Sequence, residues 1–265
     1  MSQHINLNHE ITAHLASKGL HPTPQWLSAF LSTVRPTTAP AAIKQTATFR
    51  LLASDITASL ARNSSNSNSG STTFPPNIVD GTIKQRVLPG PLVVQVLDVE
   101  DVGRSRWSQV EELEAQARGE TTKGREIIRV VDVEGGAQEG LPGQTQTQTQ
   151  QGGGARAAGA GAGNAGAPGA ANRGPHKLLL TDAAGTRAYG FELFSIDGVD
   201  THMSIGAKLV LRNVIVARGM LLLEPKTTTV LGGKVEALHK AWHDGRMERL
   251  KAAAKMDERD RSRGS

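Results

Sequence analysis

Three places in this sequence bring together side chains that can do chemistry. His9-Glu10 and His14 approach the helical zinc signature H-E-x-x-H, but they stand one residue too far apart to share the helix face a metal needs. Gly232-Gly233-Lys234 has the look of a phosphate loop, yet the upstream glycine and the following hydroxyl are missing. Asp98, Glu100 and Asp101 close a strand-like run where a divalent cation would find oxygen ligands. No histidine or further acid is spaced to complete that set, so the acids are read as a solvated strand end. A serine nucleophile elbow, G-x-S-x-G, is not present, and the 265 residues contain no cysteine, which removes thiolate, disulfide and Cys-ligated metal chemistry. These residues predict a protein that is not an enzyme and carries no cofactor or metal.

The elements that would have to position any site are legible from periodicity. Glu10 to Lys18 carries Ile11 and Leu15 four apart and stops at Gly19, a helix with a glycine cap. Thr23 caps a second helix with Pro24 in its first turn and Trp26, Leu27, Phe30, Leu31 and Val34 at helical spacing before Pro36. A third runs from Ala41 to Leu60, with Ile43, Ala47 and Leu51 in one row and Phe49, Leu52, Ile56 and Leu60 in another. Residues 1–62 thus form a three-helix bundle, with Trp26 in its core. The Ser/Asn-rich residues 63–73 read as a flexible linker.

Five strands follow: Leu92 to Val99, Lys177 to Thr181, Arg187 to Leu193, Lys208 to Val216 and Gly219 to Glu224. The second and third are joined by a loop at 182–185, and the last two by a hairpin at 217–219. Five short strands with no long helix between the last four predict an OB-fold β-barrel in which Tyr189 is core. The OB-fold domain spans 74–258 and carries a long insert, 103–175, between its first two strands. The insert starts as a helix with Trp107, Val110, Leu113 and Ala117 on one face, and Glu126 to Val133 suits an extra strand. Residues 135–174, rich in Gln, Gly and Ala, are predicted to be disordered. A turn at 230–233 leads into a C-terminal helix from Lys234 to Met256, and 259–265 reads as a basic, solvated tail.

Composition narrows the class. Only 38% of residues are hydrophobic and 3% aromatic, which suits two small folded units with linkers. Thirty basic against 25 acidic residues give a formal charge of +5, a mild excess over a long chain. Arg187, Arg212 and Arg218 are the candidates for phosphate contact, but the few aromatics make intrinsic nucleic-acid binding weak. No signal-peptide pattern and no apolar run of about 20 residues occurs, so the expectation is a soluble, intracellular protein without a membrane contact.

Several segments resemble the RecQ-mediated genome instability protein 1 family. They are Pro24-Gln25-Trp26-Leu27, Leu51-Leu52-Ala53-Ser54-Asp55-Ile56, Leu88-Pro89-Gly90 with Gln95, and Ser108-Gln109. The most specific run leads from Gly206-Ala207-Lys208 through Gly219-Met220-Leu221-Leu222-Leu223-Glu224-Pro225 to the segment from Val230 to Leu238. The resemblance covers nearly the whole chain except the Ser/Asn linker and the low-complexity insert. It implies a nuclear, non-catalytic subunit of a complex in which a RecQ helicase and a type IA topoisomerase III dissolve double Holliday junctions, with DNA junctions contacted mainly through the complex. It also implies that the loop after the first barrel strand reaches into the topoisomerase gate. On that resemblance Lys208 is a candidate for the partner surface, and Trp107, Val110 and Leu113 match the start of the gate loop. Longer family members carry a second OB domain, so this chain would be a short form. Two other readings remain: the topoisomerase-binding module of Tudor-domain proteins, and an autonomous OB protein that binds single-stranded nucleic acid.

Overall fold

A computed structural model describes residues 2–35, 38–62, 73–119 and 174–263. The linker expected at 63–73 and the insert expected at 126–133 and 135–174 therefore fall almost wholly outside the described residues. The chain divides into two units, one of residues 1–114 with 172–265 and one of residues 115–171.

The helical part has α1 (Ser2–Ala16), α2 (Pro24–Ser32), α3 (Pro40–Leu52) and α4 (Ile56–Ser59). Gly19, at φ 77°, ends the first turn after α1, and Thr23 Oγ accepts the Trp26 N–H to cap α2. Ile11, Leu15, Leu27, Phe30, Ile43, Ala47 and Leu51 form one core with Ile56 of α4 and Leu60, which follows it. The single helix expected from Ala41 to Leu60 is instead broken at 53–55. Asp55 takes an extended backbone and its carboxylate accepts the Thr57 N–H, starting α4 afresh. Phe49, expected in the second apolar row, is left exposed because that row would need the helix to continue.

The barrel part has eight strands among the described residues, not five: β1 (Arg86–Leu88), β2 (Leu92–Asp101), β3 (His176–Thr181), β4 (Arg187–Glu192), β5 (Lys208–Leu211), β6 (Val214–Ala217), β7 (Met220–Leu223) and β8 (Thr228–Gly232). Their order is β1-β6-β7-β4-β3-β2-β5-β8, antiparallel except for β4 beside β7. The strand expected from Lys208 to Val216 is divided at Arg212-Asn213, where Asn213 adopts φ 51°. Its first half pairs with β2 and its second with β7, so this one bent segment curls the sheet round in the manner of a barrel strand. β1 and β8 extend the sheet; the turn expected at 230–233 overlaps β8.

Leu92, Val94, Val96, Leu178, Leu180, Leu209, Leu211, Leu221 and Leu223 fill the interior with Ala188. Tyr189, expected in that core, faces outward and is 46% exposed. The inward positions of β4 go to Ala188 and Gly190 because there is no room for more. A Cβ on Gly190 would stand 2.8 Å from Leu223 Cδ1 and 3.2 Å from Leu180 Cδ1.

The helix α5 (Arg106–Ala117) follows β2, and the expected single C-terminal helix is two, α6 (Glu236–Asp244) and α7 (Arg246–Arg263), separated at Gly245. α7 runs into the stretch read as a solvated tail. No helix among the described residues is long and apolar enough to cross a membrane.

Candidate partner-binding surface

The residues singled out in the sequence separate into three places. Lys208 lies between the helical part and the barrel, 1% exposed. Its Nζ donates to the carbonyls of Leu52 at 2.8 Å, Ser54 at 2.6 Å and Gly206 at 2.7 Å. Its cross-strand partner is Gln95 of β2, whose Oε1 accepts the Ile56 N–H at 2.9 Å. The break between α3 and α4 leaves helix-end groups that no helical neighbour can satisfy, and this strand pair supplies what they lack. The lysine gives donors to carbonyls at the end of α3, and the glutamine gives an acceptor to the start of α4. An ammonium with three carbonyl partners cannot also reach a partner protein, so the expected surface role of Lys208 is replaced by a role inside the chain. Burial lowers its pKa from 10.5 to about 8, against the opposing pull of Asp55.

Gly233 belongs to the same seam. It adopts φ 98°, and a Cβ there would stand 2.4 Å from the Leu52 carbonyl oxygen. The glycine pair that suggests a phosphate loop is therefore explained by close backbone packing. Val93 and Val210 complete the seam by joining the helical core from the outer side of β2 and β5.

The root of the insert is the second place. Gly103 and Gly174 form a neck: a Cβ on Gly103 would lie 2.7 Å from Gly174 Cα, so only residues without side chains pass each other there. Asp101, the last residue of β2, is buried; its carboxylate accepts the Gly103 N–H at 2.9 Å and Arg104 Nε at 2.7 Å. Arg104 also pairs with Glu112 of α5 at 2.6 Å. Burial opposes the Arg104 charge, but hydrogen bonds to Asp101 and Glu112 outweigh it and raise the pKa. Gln109 Nε2 donates back to the Asp101 carbonyl at 2.9 Å, which fixes α5 against the strand end.

Val110 is buried on this helix, Leu113 is half-buried, and Trp107 is 44% exposed. Of the three residues matched to the gate loop, only Trp107 presents a large free surface. The acids 98, 100 and 101 are not a cation site here. Asp98 accepts the Trp242 Nε1–H, Glu100 pairs with Lys177 at 3.0 Å, and Asp101 is committed as above. Among the described residues no group of three His, Cys, Asp or Glu is placed to hold a metal.

Between the root and the C-terminal helices lies a cleft of about 230 Å³, with Arg104, Gln109, Trp242, Arg246 and Arg249 among its walls. Arg246 stacks 4.9 Å from the Trp242 ring centroid. Burial lowers the Arg246 pKa, with Glu112 opposing. Two ion pairs, Arg106–Asp257 and Lys251–Glu114, tie α7 to α5. They are half-exposed, so each contributes at most about 1 kcal/mol. Sequence reading missed Trp242, Arg246 and Arg249 as neighbours of the insert because nothing local links positions so far apart in the chain.

The candidate phosphate contacts divide. Arg187 and Arg218 line one shallow groove with Tyr189 and Met220, whereas Arg212 is exposed at the β5–β6 bend outside it.

Residues 62–246 match the family model described as "RMI1, N-terminal OB-fold domain", and residues 15–59 match that described as "RMI1, N-terminal helical domain". RecQ-mediated genome instability protein 1 of Schizosaccharomyces pombe is 28% identical over 250 residues, covering 93% of this chain and 97% of that relative.

Proposed function

This chain belongs to the RMI1 family, and from that membership we propose that it is a non-catalytic scaffold of a RecQ helicase–topoisomerase III complex in the nucleus. The barrel and the insert that leaves it through the Gly103–Gly174 neck bind the topoisomerase and promote double Holliday junction dissolution. The observation that carries this reading is the matched pair of domains, helical and OB-fold, over most of the chain. The buried ion pairing at the insert root supports it, since α5 is held in one orientation while the exposed Trp107 remains available. In this reading the insert biases the open and closed states of the topoisomerase gate.

The test uses the purified full chain and a purified type IA topoisomerase III. Residues 120–172 are replaced by a flexible Gly/Ser linker of about 15 residues. The wild type is expected to co-elute with the topoisomerase and to change its decatenation rate, and the replaced chain to fold normally but lose that change in rate. Unaltered binding together with unaltered decatenation would refute the proposal.

A second reading, an autonomous binder of single-stranded nucleic acid, draws on Arg187 and Arg218 lining one groove with Tyr189. It calls for submicromolar, salt-sensitive binding of an oligothymidylate by the chain alone.

A further inference from the structure

The helix α5 is supported from two directions. Its start is tied to the end of β2, where Arg104 joins the Asp101 carboxylate to Glu112 and Gln109 donates to the Asp101 and Arg104 carbonyls. Its flank is tied to α7. Arg106, the first residue of α5, pairs with Asp257, and Glu114, in its third turn, pairs with Lys251 at 2.6 Å. The two contacts come in opposite order along the two helices, so α5 and α7 run antiparallel there. On α5 the contacts are eight residues apart, about 12 Å at the rise of a helix. One tether lets a helix pivot, whereas two at that spacing fix the direction of its axis.

α7 is itself anchored to the barrel. Trp242 of α6 belongs to the barrel core, and its Nε1–H donates to Asp98 of β2. Beyond the break at Gly245 the first turn of α7 folds back on that ring, with Arg246 4.9 Å and Arg249 6.0 Å from its centroid. Arg249 Nη2 also donates to the Trp242 carbonyl at 2.7 Å. Glycine at 245 leaves room for this approach, since a Cβ there would stand 2.6 Å from Arg249 Nη1. The angle between α6 and α7 is thus set by contacts to one anchored residue, and the path from barrel core to α5 runs through Trp242 and α7.

The side chains of Arg106 and Asp257 are 37% and 45% exposed, and those of Lys251 and Glu114 are 40% and 37% exposed. Exposed pairs add little stability to a fold, but they bias the orientation of a helix that has more than one open to it. α5 is the element through which the chain passes into the insert, and it carries the exposed Trp107 beside Arg106.

We propose that α7 is the positioning element of the insert: through Arg106 with Asp257 and Glu114 with Lys251 it sets the direction of α5, and with it the direction in which Trp107 is presented. This regulation rests on the function proposed above. Arg106 and Asp257 are positioning residues, and because their pair is half-exposed, raised salt loosens the brace.

The chain has no cysteine, so nitroxide labels on Glu111→Cys of α5 and Phe49→Cys of α3, both exposed, report the orientation of α5 by the width of their distance distribution. The full chain is compared with Arg106→Asp, with Asp257→Arg and with the exchange of both. Lys226→Glu, at the exposed Lys226–Glu224 pair, is a control of equal charge change. Each single variant is expected to broaden the distribution and to reduce the chain's effect on the decatenation rate of purified type IA topoisomerase III by about two- to fivefold, with affinity for the topoisomerase held within about twofold. The exchange restores both, and the control alters neither. Should a reversal lower the unfolding midpoint, the neutral Arg106→Gln and Asp257→Asn take the place of the single variants. An unbroadened distribution in the single variants, or a broadened one with the rate effect intact, overturns the positioning role and leaves the proposed function standing. So does an exchange that fails to restore the rate effect. A wild-type chain that leaves the decatenation rate unaltered overturns both.

Discussion

On β2 and β5 the outward residues Val93, Gln95, Lys208 and Val210 are buried beneath the helical part, whereas on β4 and β7 the outward residues Tyr189, Phe191, Met220 and Leu222 remain in contact with solvent. Both regions have apolar side chains on the outside of a barrel already full within. The first carries two polar groups, and each is matched to a helix-end atom of the same chain. The second carries no such buried polar pair; its cations stay at the edge. A strand with two apolar faces needs two partners, and here the chain provides the second partner on one side only among the described residues. The polar groups show the difference in purpose: buried and geometrically committed in a permanent contact, peripheral and solvated in an open one.

The comparison breaks most easily at Lys208. Lys208→Met keeps the volume but leaves three carbonyls without a donor, and a destabilisation of about 3 kcal/mol or more is expected from denaturant unfolding. The same residue gives a pH signature. Its pKa in the folded chain, about 8, lies below 10.5, so between these values the unfolded chain still holds the proton that the folded chain has lost. Its contribution then makes stability rise with pH across that window, and the methionine variant should lack that part of the slope.

Gly233→Ala comes next. It places a side chain at φ 98° against the Leu52 carbonyl, and a loss of about 1–3 kcal/mol is expected from the same unfolding measurement. Topoisomerase affinity, measured where both proteins are folded, should change little. The smallest effect belongs to the open face: Val87→Asp should alter the unfolding free energy by less than about 1 kcal/mol, since its side chain is already exposed. A cost there as large as at Lys208 would mean that the two faces are not distinct.

Much of the fold was legible in local pattern. The C-terminal half of α1 and the whole of α2 follow from spacing and the Thr23 cap, and β2, β3, β4 and β7 from β-branched and alternating runs; Ser2 to His9 carry no comparable apolar row, and α1 begins eight residues before the expected Glu10. Short β1 and β8 escaped notice because three to five residues of strand are defined by the partner they extend, not by their own composition. The bend at Asn213 was hidden because a continuous apolar run reads the same whether its halves pair with one strand or two. The expectation that Tyr189 is core fails because period-two alternation says which residues share a face but not which face is inward. Gly190 decides that, through Leu180 and Leu223.

The candidate site was less legible. Spacing alone places Trp107, Val110 and Leu113 on one helix, but their burial depends on the strand end and α5 packing that Asp101, Arg104 and Gln109 create. Lys208 was picked out by its motif and its location was not, because a lysine's sequence neighbours do not reveal the carbonyls of residues 52 and 54.

The sequence by itself determined the two domains, most of the helical and strand segments within them, the point where the insert leaves, and the absence of cysteine chemistry. Only the tertiary structure decided where the third helix breaks, which face of the barrel is covered, and what Lys208 and Gln95 are for. The reason is physical: helix-end carbonyls and N–H groups at 52–56 can be left behind by their own helix only if partners arrive from elsewhere. Those partners stand on two neighbouring strands 39 and 156 residues away in the chain.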